Sequence, residues 1–103
     1  MSSKLPQLHS LLEKQPNDPF LLYGIAMEHK KLHEHDKAIE FLDRCIGSDA
    51  NYCYAYFQRG QVCEMTGDID AARQSYENGI VAAKRAGDAH AQGEIEGALQ
   101  MLG

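Results

Sequence analysis

The chain has 103 residues, 44% of them apolar and 24% charged, a composition that excludes a disordered protein. Ten lysines and arginines against fifteen aspartates and glutamates give a net charge of −5. Nucleic-acid-binding proteins need a basic face, so we expect no nucleic-acid partner. The longest apolar runs, such as Phe20 to Tyr23, are far too short to span a bilayer, so we expect no membrane partner either.

The cysteines and the N-terminal segment indicate where the protein works. Cys45, Cys53 and Cys63 are odd in number and contain no CxxC pair, which is typical of reduced thiols rather than of a disulfide framework. Residues 1–8 lack the apolar segment of a secretion signal. The sequence therefore predicts a cytoplasmic protein.

Signals for the beginning and the end of helices recur along the chain. Asp18-Pro19 is typical of an N-cap followed by proline at the first helical position. Three further polar residues are predicted to open helices: Asn51, Asp68 and Asp88. Three glycines are predicted to end helices in the left-handed conformation: Gly47, Gly67 and Gly87.

Period-2 alternation is absent, and β-branched residues are few, so strands are not expected. The connections between the predicted helices are short, which favours antiparallel neighbours. The pattern predicts an all-α fold of stacked antiparallel helical hairpins. Its helices are expected at about 3–14, 19–32, 35–47, 52–66, 69–86 and 88–102.

An internal repeat decides between helical architectures. A shift of 34 residues aligns 19–52 with 53–86 and makes three pairs between them identical: Asp36 with Asp70, Ala38 with Ala72 and Ile46 with Ile80. Similar residues also align, including Phe20 with Tyr54 and Tyr23 with Phe57. A helix–turn–helix repeat of this length is typical of tetratricopeptide proteins.

The second copy of the repeat resembles the tetratricopeptide (TPR) family most clearly. It reads Tyr56-x2-Arg59-Gly60-x2-Cys63, then Gly67-Asp68, then Ala72-x3-Tyr76 and Gly79. The first copy, Leu22-x2-Ile25-Ala26-x2-His29 followed by Ala38-x3-Leu42, matches less closely. The resemblance, to a small stand-alone bacterial-type TPR protein, covers nearly the whole chain.

The resemblance implies a TPR-like superhelix of about two full repeats in one domain, residues 1–103. Residues 3–16 would form a preceding half repeat, 19–52 the first repeat, 53–86 the second and 88–102 a capping helix. The capping helix is expected to pack Ile95, Leu99 and Leu102 against 69–86. Arg59 departs from the family pattern, which has leucine there, and is expected to reach solvent or to pair with an acidic neighbour.

An apolar excess in two helices provides the candidate site. Phe20, Tyr23 and Met27 form a second stripe beside the one that the core needs, and Tyr54, Phe57 and Gln61 take the equivalent places in the next repeat. In TPR proteins this stripe lines the concave groove that binds peptides or partner helices. The predicted partner-binding groove comprises Phe20, Tyr23, Met27, Tyr54, Phe57, Gln58 and Gln61.

Two other interpretations of the stripe remain open. In the first, the N-terminal helix or simple stacking of the repeats covers the stripe. In the second, the stripe joins two copies of the chain in a homodimer. The carboxylate clamp with which some TPR domains bind charged tails is absent, because Tyr23, Met27 and Gln58 occupy its places. Gln58 and Gln61 are expected to hydrogen-bond a peptide backbone.

The sequence gives little support for a catalytic or metal-binding function. There is no phosphate-binding glycine loop and no catalytic motif, so we expect neither an enzyme nor a cofactor. Cys63 lies at a packing position, where thiols are inert. His29, His33 and His35 are the one candidate metal cluster, although a packing residue and a solvated turn explain them more simply. The sequence thus favours a protein-interaction module, with a self-associating unit or a metal-binding accessory protein as alternatives.

Overall fold

The computed structural model describes residues 3–102, and these residues form six α-helices and no strand. The helices confirm the predicted all-α fold, and each begins and ends within two residues of its predicted bounds. They are α1 (Leu5–Lys14), α2 (Pro19–Lys31), α3 (His35–Ser48), α4 (Cys53–Met65), α5 (Ile69–Ala86) and α6 (Ala89–Met101).

Three of the four predicted helix starts are N-caps in the structure. Asp18 Oδ1 accepts the backbone N–H of Phe20 at 2.9 Å, which satisfies one of the donors that a helix start leaves without a partner. Asp68 and Asp88 cap α5 and α6 in the same way. The prediction for the fourth, Asn51, was wrong. Its backbone N–H donates to Asp49 Oδ1 at 3.0 Å in a turn, and α4 begins two residues later.

The predicted helix ends are confirmed at two of three glycines. Gly67 and Gly87 have φ of +82° and +68°, which glycine adopts without steric cost. His33, 34 residues before Gly67, has φ of +60° at the equivalent turn. The prediction at Gly47 was wrong, because α3 continues through that residue. The chain leaves the helix instead at Asp49, which has an extended conformation.

Consecutive helices pack as antiparallel neighbours in two layers. One layer contains α1, α3 and α5, and the other contains α2, α4 and α6. The buried side chains form two clusters, one mainly among α1, α2 and α3, the other among α4, α5 and α6. Small residues lie where helices meet: Ala26, Ala38, Gly60 and Ala72 are buried.

The α4 and α5 helices cross closely. Tyr76 is the largest fully buried side chain, and its ring lies against Gly60, where even a Cβ atom would overlap it. Gly79 makes the reciprocal contact, since its Cβ would come within 2.8 Å of Tyr56 Cβ. Two glycines thus make room for two tyrosine rings.

Arg59, the departure from the family pattern, is accommodated by polar partners, as expected. Its Nε donates to Asp43 Oδ1 at 2.7 Å, and its Nη1 donates to Ser75 Oγ at 2.9 Å. The guanidinium therefore links α3, α4 and α5.

The capping helix packs as predicted. Ile95 is fully buried, and Leu99 and Leu102 are half-buried in the cluster that includes Tyr76. None of the helices in residues 3–102 is long and apolar enough to cross a membrane.

Candidate functional site

The surface of α2 and α4 that points away from α3 carries the exposed part of the predicted groove. We call it the inner face and define it by Phe20, Met27, Tyr54 and Gln61, which lie seven residues apart in pairs on the two helices. Phe20 is 71% exposed, whereas the other three are half-buried. The α1 helix packs beside this face and leaves Phe20 exposed: Leu8 lies against Gly24, one helical turn from Phe20, and the backbone N–H of Lys4 donates to Glu28.

Tyr23 lies deeper than Phe20 and contacts the segment that leads into α4. Its ring is tilted against that of Tyr52, with 5.1 Å between the ring centroids. Burial raises the pKa of the Tyr23 hydroxyl, and a hydrogen bond with the Gln58 side chain partly offsets that rise. Tyr23 is thus half-buried between α2 and the residue that precedes α4.

Phe57 takes the equivalent place one repeat later. Its ring centroid lies 6.2 Å from that of Tyr54, edge to face, and 6.2 Å from that of Tyr76. Phe57 therefore lines the floor of the inner face while packing against the core.

Lys30 links the two glutamines of the predicted groove. Its Nζ donates to Gln58 Oε1 at 2.6 Å and to Gln61 Oε1 at 2.9 Å. Burial lowers the pKa of Lys30, and no carboxylate of residues 3–102 lies within 4.0 Å of it. With an oxygen of each side chain bonded to Lys30, the Nε2 groups face away as donors, and one N–H of Gln58 Nε2 donates to Tyr23.

Tyr54 connects the inner face to the capping helix. Its hydroxyl donates to Glu94 Oε1 at 2.7 Å. That hydrogen bond, together with burial and the charges of Glu94 and Asp88, raises the pKa of Tyr54 to about 12. His90 Nε2 lies 2.8 Å from the same oxygen, so Glu94 lies at one edge of the inner face.

The three histidines of the alternative metal site do not converge. His29 is buried, its Nδ1 lies 2.8 Å from Glu34 Oε1, and its ring stacks on Phe41 with centroids 5.7 Å apart. The His33 and His35 rings are 6.0 Å apart in the turn between α2 and α3. In the part of the chain that the structure describes, no three histidine, cysteine or acidic residues are grouped to hold a metal ion.

The cysteines are buried and not bonded to one another within residues 3–102. Burial, with a smaller contribution from Asp49, raises the pKa of Cys45 to about 12. Burial also raises the pKa of Cys53 and of Cys63. At neutral pH the three side chains are therefore thiols, which are poor nucleophiles.

Tyr52 is the residue that the sequence analysis missed at this site. It aligns with Asp18, 34 residues earlier, at a helix start, and so falls outside the stripe of i, i+3, i+7 positions. An aromatic side chain cannot accept the capping hydrogen bond. A tyrosine where the first repeat has the N-cap Asp18 was therefore the sign that Tyr52 has another role.

Comparisons with known proteins agree with this architecture. The sequence model described as "Tetratricopeptide repeat" matches residues 21–52 and 54–80. A TPR repeat-containing protein of Pseudomonas aeruginosa is 28% identical over 95 residues, which cover 92% of this chain and 90% of that protein.

Solved structures have the same arrangement of helices. A tetratricopeptide repeat domain protein from Salinibacter ruber, solved by NMR, has a TM-score of 0.79 and 28% identity over 84% of this chain and 88% of that one. A protein from Bordetella parapertussis has the same fold, with a TM-score of 0.84 and 24% identity over 99% of this chain and 89% of that one. The matched repeats and the stacked hairpins together show that the chain belongs to the tetratricopeptide repeat family.

Proposed function

We propose that this chain is a non-enzymatic protein-interaction module that binds a peptide or a partner helix on its inner face. TPR proteins are generally non-catalytic scaffolds, and they typically bind protein partners. In this proposal 19–52 and 53–86 form the full repeats, 3–16 the preceding half repeat and 88–102 the cap. Three free, buried thiols support a cytoplasmic location.

The observation that carries the proposal is the exposure of Phe20. A phenylalanine with 71% of its surface in contact with water gains free energy when a partner covers it, and aromatic residues are typical anchors of protein interfaces. Met27 and Tyr54 extend the apolar surface along α2 and across to α4. An amphipathic helix or an extended segment laid across it would bury its own apolar side chains there.

Polar groups at the floor of the inner face would orient such a segment. The Nε2 groups of Gln58 and Gln61 are donors for backbone carbonyls of a peptide. The Lys30 ammonium holds the two side chains in place, since each accepts one of its three N–H donors. Tyr23 and Phe57 support the surface from below through their ring contacts.

Site-directed photo-crosslinking tests this proposal. Replacing Phe20 or Gln61 with benzoylphenylalanine puts a crosslinker on the inner face, and replacing the exposed residues Lys37 or Glu77 puts one on the opposite layer. In a lysate of the native host, we expect one partner protein to be captured from positions 20 and 61 and not from 37 and 77. Capture of a second copy of the chain would establish self-association instead, and capture only from 37 and 77 would contradict the proposal.

A further inference from the structure

An open pocket of about 400 Å³ lies at the edge of the inner face, where the chain turns into α4 and α6. Three of the protein's five tyrosines line it, contributed by α2, by the connection before α4 and by α4 itself: Tyr23, Tyr52 and Tyr54. Asp49 and Asp88 also line it. Aromatic rings beside carboxylates are the surroundings in which proteins bind cationic groups.

The two carboxylates retain acceptor capacity toward the pocket. Asp49 Oδ1 accepts the N–H of Asn51, and Asp88 Oδ1 accepts the N–H of Ala91. No hydrogen bond within residues 3–102 engages the second oxygen, Oδ2, of either residue. Each carboxylate therefore keeps one oxygen for a ligand.

The partial charges of the helix ends at the pocket nearly cancel. The N-terminal ends of α4 and α6 bring about half a positive charge each, and the C-terminal ends of α3 and α5 bring about half a negative charge each. The full charges of Asp49 and Asp88 then dominate. Burial is the main cause that raises the pKa of Tyr52 to about 12, and the charges of Asp18 and Asp49 make smaller contributions.

Arg85 lies beside the pocket but does not line it. Arg85 donates from Nε to Asn51 Oδ1 at 2.8 Å and from Nη2 to the Ala50 carbonyl at 3.0 Å. It offsets one of the two carboxylate charges, and a net negative charge remains.

We propose that this pocket binds a cationic side chain, an arginine or a lysine, of the partner segment. The planar guanidinium of arginine would stack on a tyrosine face while donating to Asp49 or Asp88. The inference rests on the proposed function for the source of the side chain, but binding of the cation itself does not require that a partner be known. It gives the partner a definite chemistry, with apolar residues for the inner face and a basic residue at one end.

A short peptide tests the pocket directly. Ac-Ala-Arg-Ala-NH2 is titrated into the full chain while NMR follows the ring resonances of the tyrosines, and the matched peptide carries citrulline, the uncharged isostere of arginine. We expect saturable shifts for Tyr23, Tyr52 and Tyr54 with the arginine peptide alone. Tyr56 and Tyr76, which are buried, serve as internal controls and should not move.

A charge variant identifies the residues responsible. Asp49→Asn with Asp88→Asn removes two charges and should weaken binding by about tenfold, while asparagine still accepts the turn hydrogen bond at position 49 and the capping one at position 88. The matched control, Asp36→Asn with Asp70→Asn, makes the same charge change in the first turns of α3 and α5 and should leave binding unchanged.

Three results would overturn the inference: no tyrosine shift, equal shifts with the citrulline peptide, or equal loss in both charge variants. Failure here together with partner crosslinking at positions 20 and 61 would remove the cation pocket and leave the proposed function intact. Success here, with partner crosslinking only at positions 37 and 77, would keep the cation pocket and remove the proposed function.

Discussion

Gly60 and Gly97 both lie inside α-helices, but the same substitution should change the stability of the protein in opposite directions. Gly60→Ala places a Cβ in the buried Tyr76 ring and should lower the free energy of unfolding by about 1–3 kcal/mol, more than the gain in helix propensity returns. Gly97 has no atom within 4 Å of a Cβ, so Gly97→Ala should raise that free energy by about 0.5–1 kcal/mol. Urea denaturation measures both.

A loss of stability in both variants would show that α6 does not tolerate a side chain at position 97. A gain in both would contradict the close crossing of α4 and α5.

Cys45 gives a test through its pKa. Because folding raises that pKa from 9.0 to about 12, the thiolate fraction at pH 8 should be about a thousandfold lower in the folded than in the unfolded chain. Iodoacetamide should therefore label Cys45 far more slowly in buffer than in urea, as followed by mass spectrometry, because the thiol is both protonated and shielded from the reagent. Equal labelling rates in buffer and in urea would contradict the buried position.

At the residue scale, hydrogen bonds between neighbours in sequence were predictable, and those that a long side chain makes with another helix were not. The caps at Asp18, Asp68 and Asp88 followed from short side chains that bond to their own backbone neighbours. The bridge from Lys30 to two glutamines did not, because four flexible bonds leave the position of the ammonium undetermined until the neighbouring helix is placed.

The capping helix α6 depends on one side chain more than on any other. Ile95 is its one large, fully buried residue, whereas Leu99 is half-buried. Ile95→Ala should lower the free energy of unfolding by about 2–5 kcal/mol, and Leu99→Ala should lower it by less. Hydrogen exchange should also speed up in α6 before it does in α2 and α3. Equal losses for the two variants would contradict the burial described here.

At the scale of elements, the sequence predicted the six helices because their caps, breaks and apolar periods agree. It failed at the connection between α3 and α4. Gly47 and Asn51 looked like a helix end and a helix start, but the chain leaves α3 in an extended conformation and turns at Asp49. Glycine and asparagine permit a turn without requiring one, and the packing of the next repeat determines where the chain turns.

For the whole molecule, the 34-residue repeat was enough to predict the stacked hairpins, since each hairpin has an apolar face that only a neighbour can bury. The depth of each groove residue was beyond the sequence. Phe20 and Tyr23 belong to the same predicted stripe, yet one is exposed and the other packs against Tyr52, because the position of the next repeat determines which ring it meets.

The central claim is that a partner binds the inner face, and its affinity for purified variants tests that claim most directly. With the partner obtained by crosslinking, titration calorimetry compares Phe20→Ala with Gln61→Ala, made together, against the matched outer pair Lys37→Ala with Glu77→Ala. All four side chains lie at least partly at the surface, so the melting midpoints should stay close to that of the unchanged chain. We predict that the inner-face variant binds at least about tenfold more weakly and that the outer variant binds normally. Normal binding by the inner-face variant with loss in the outer one would contradict the account.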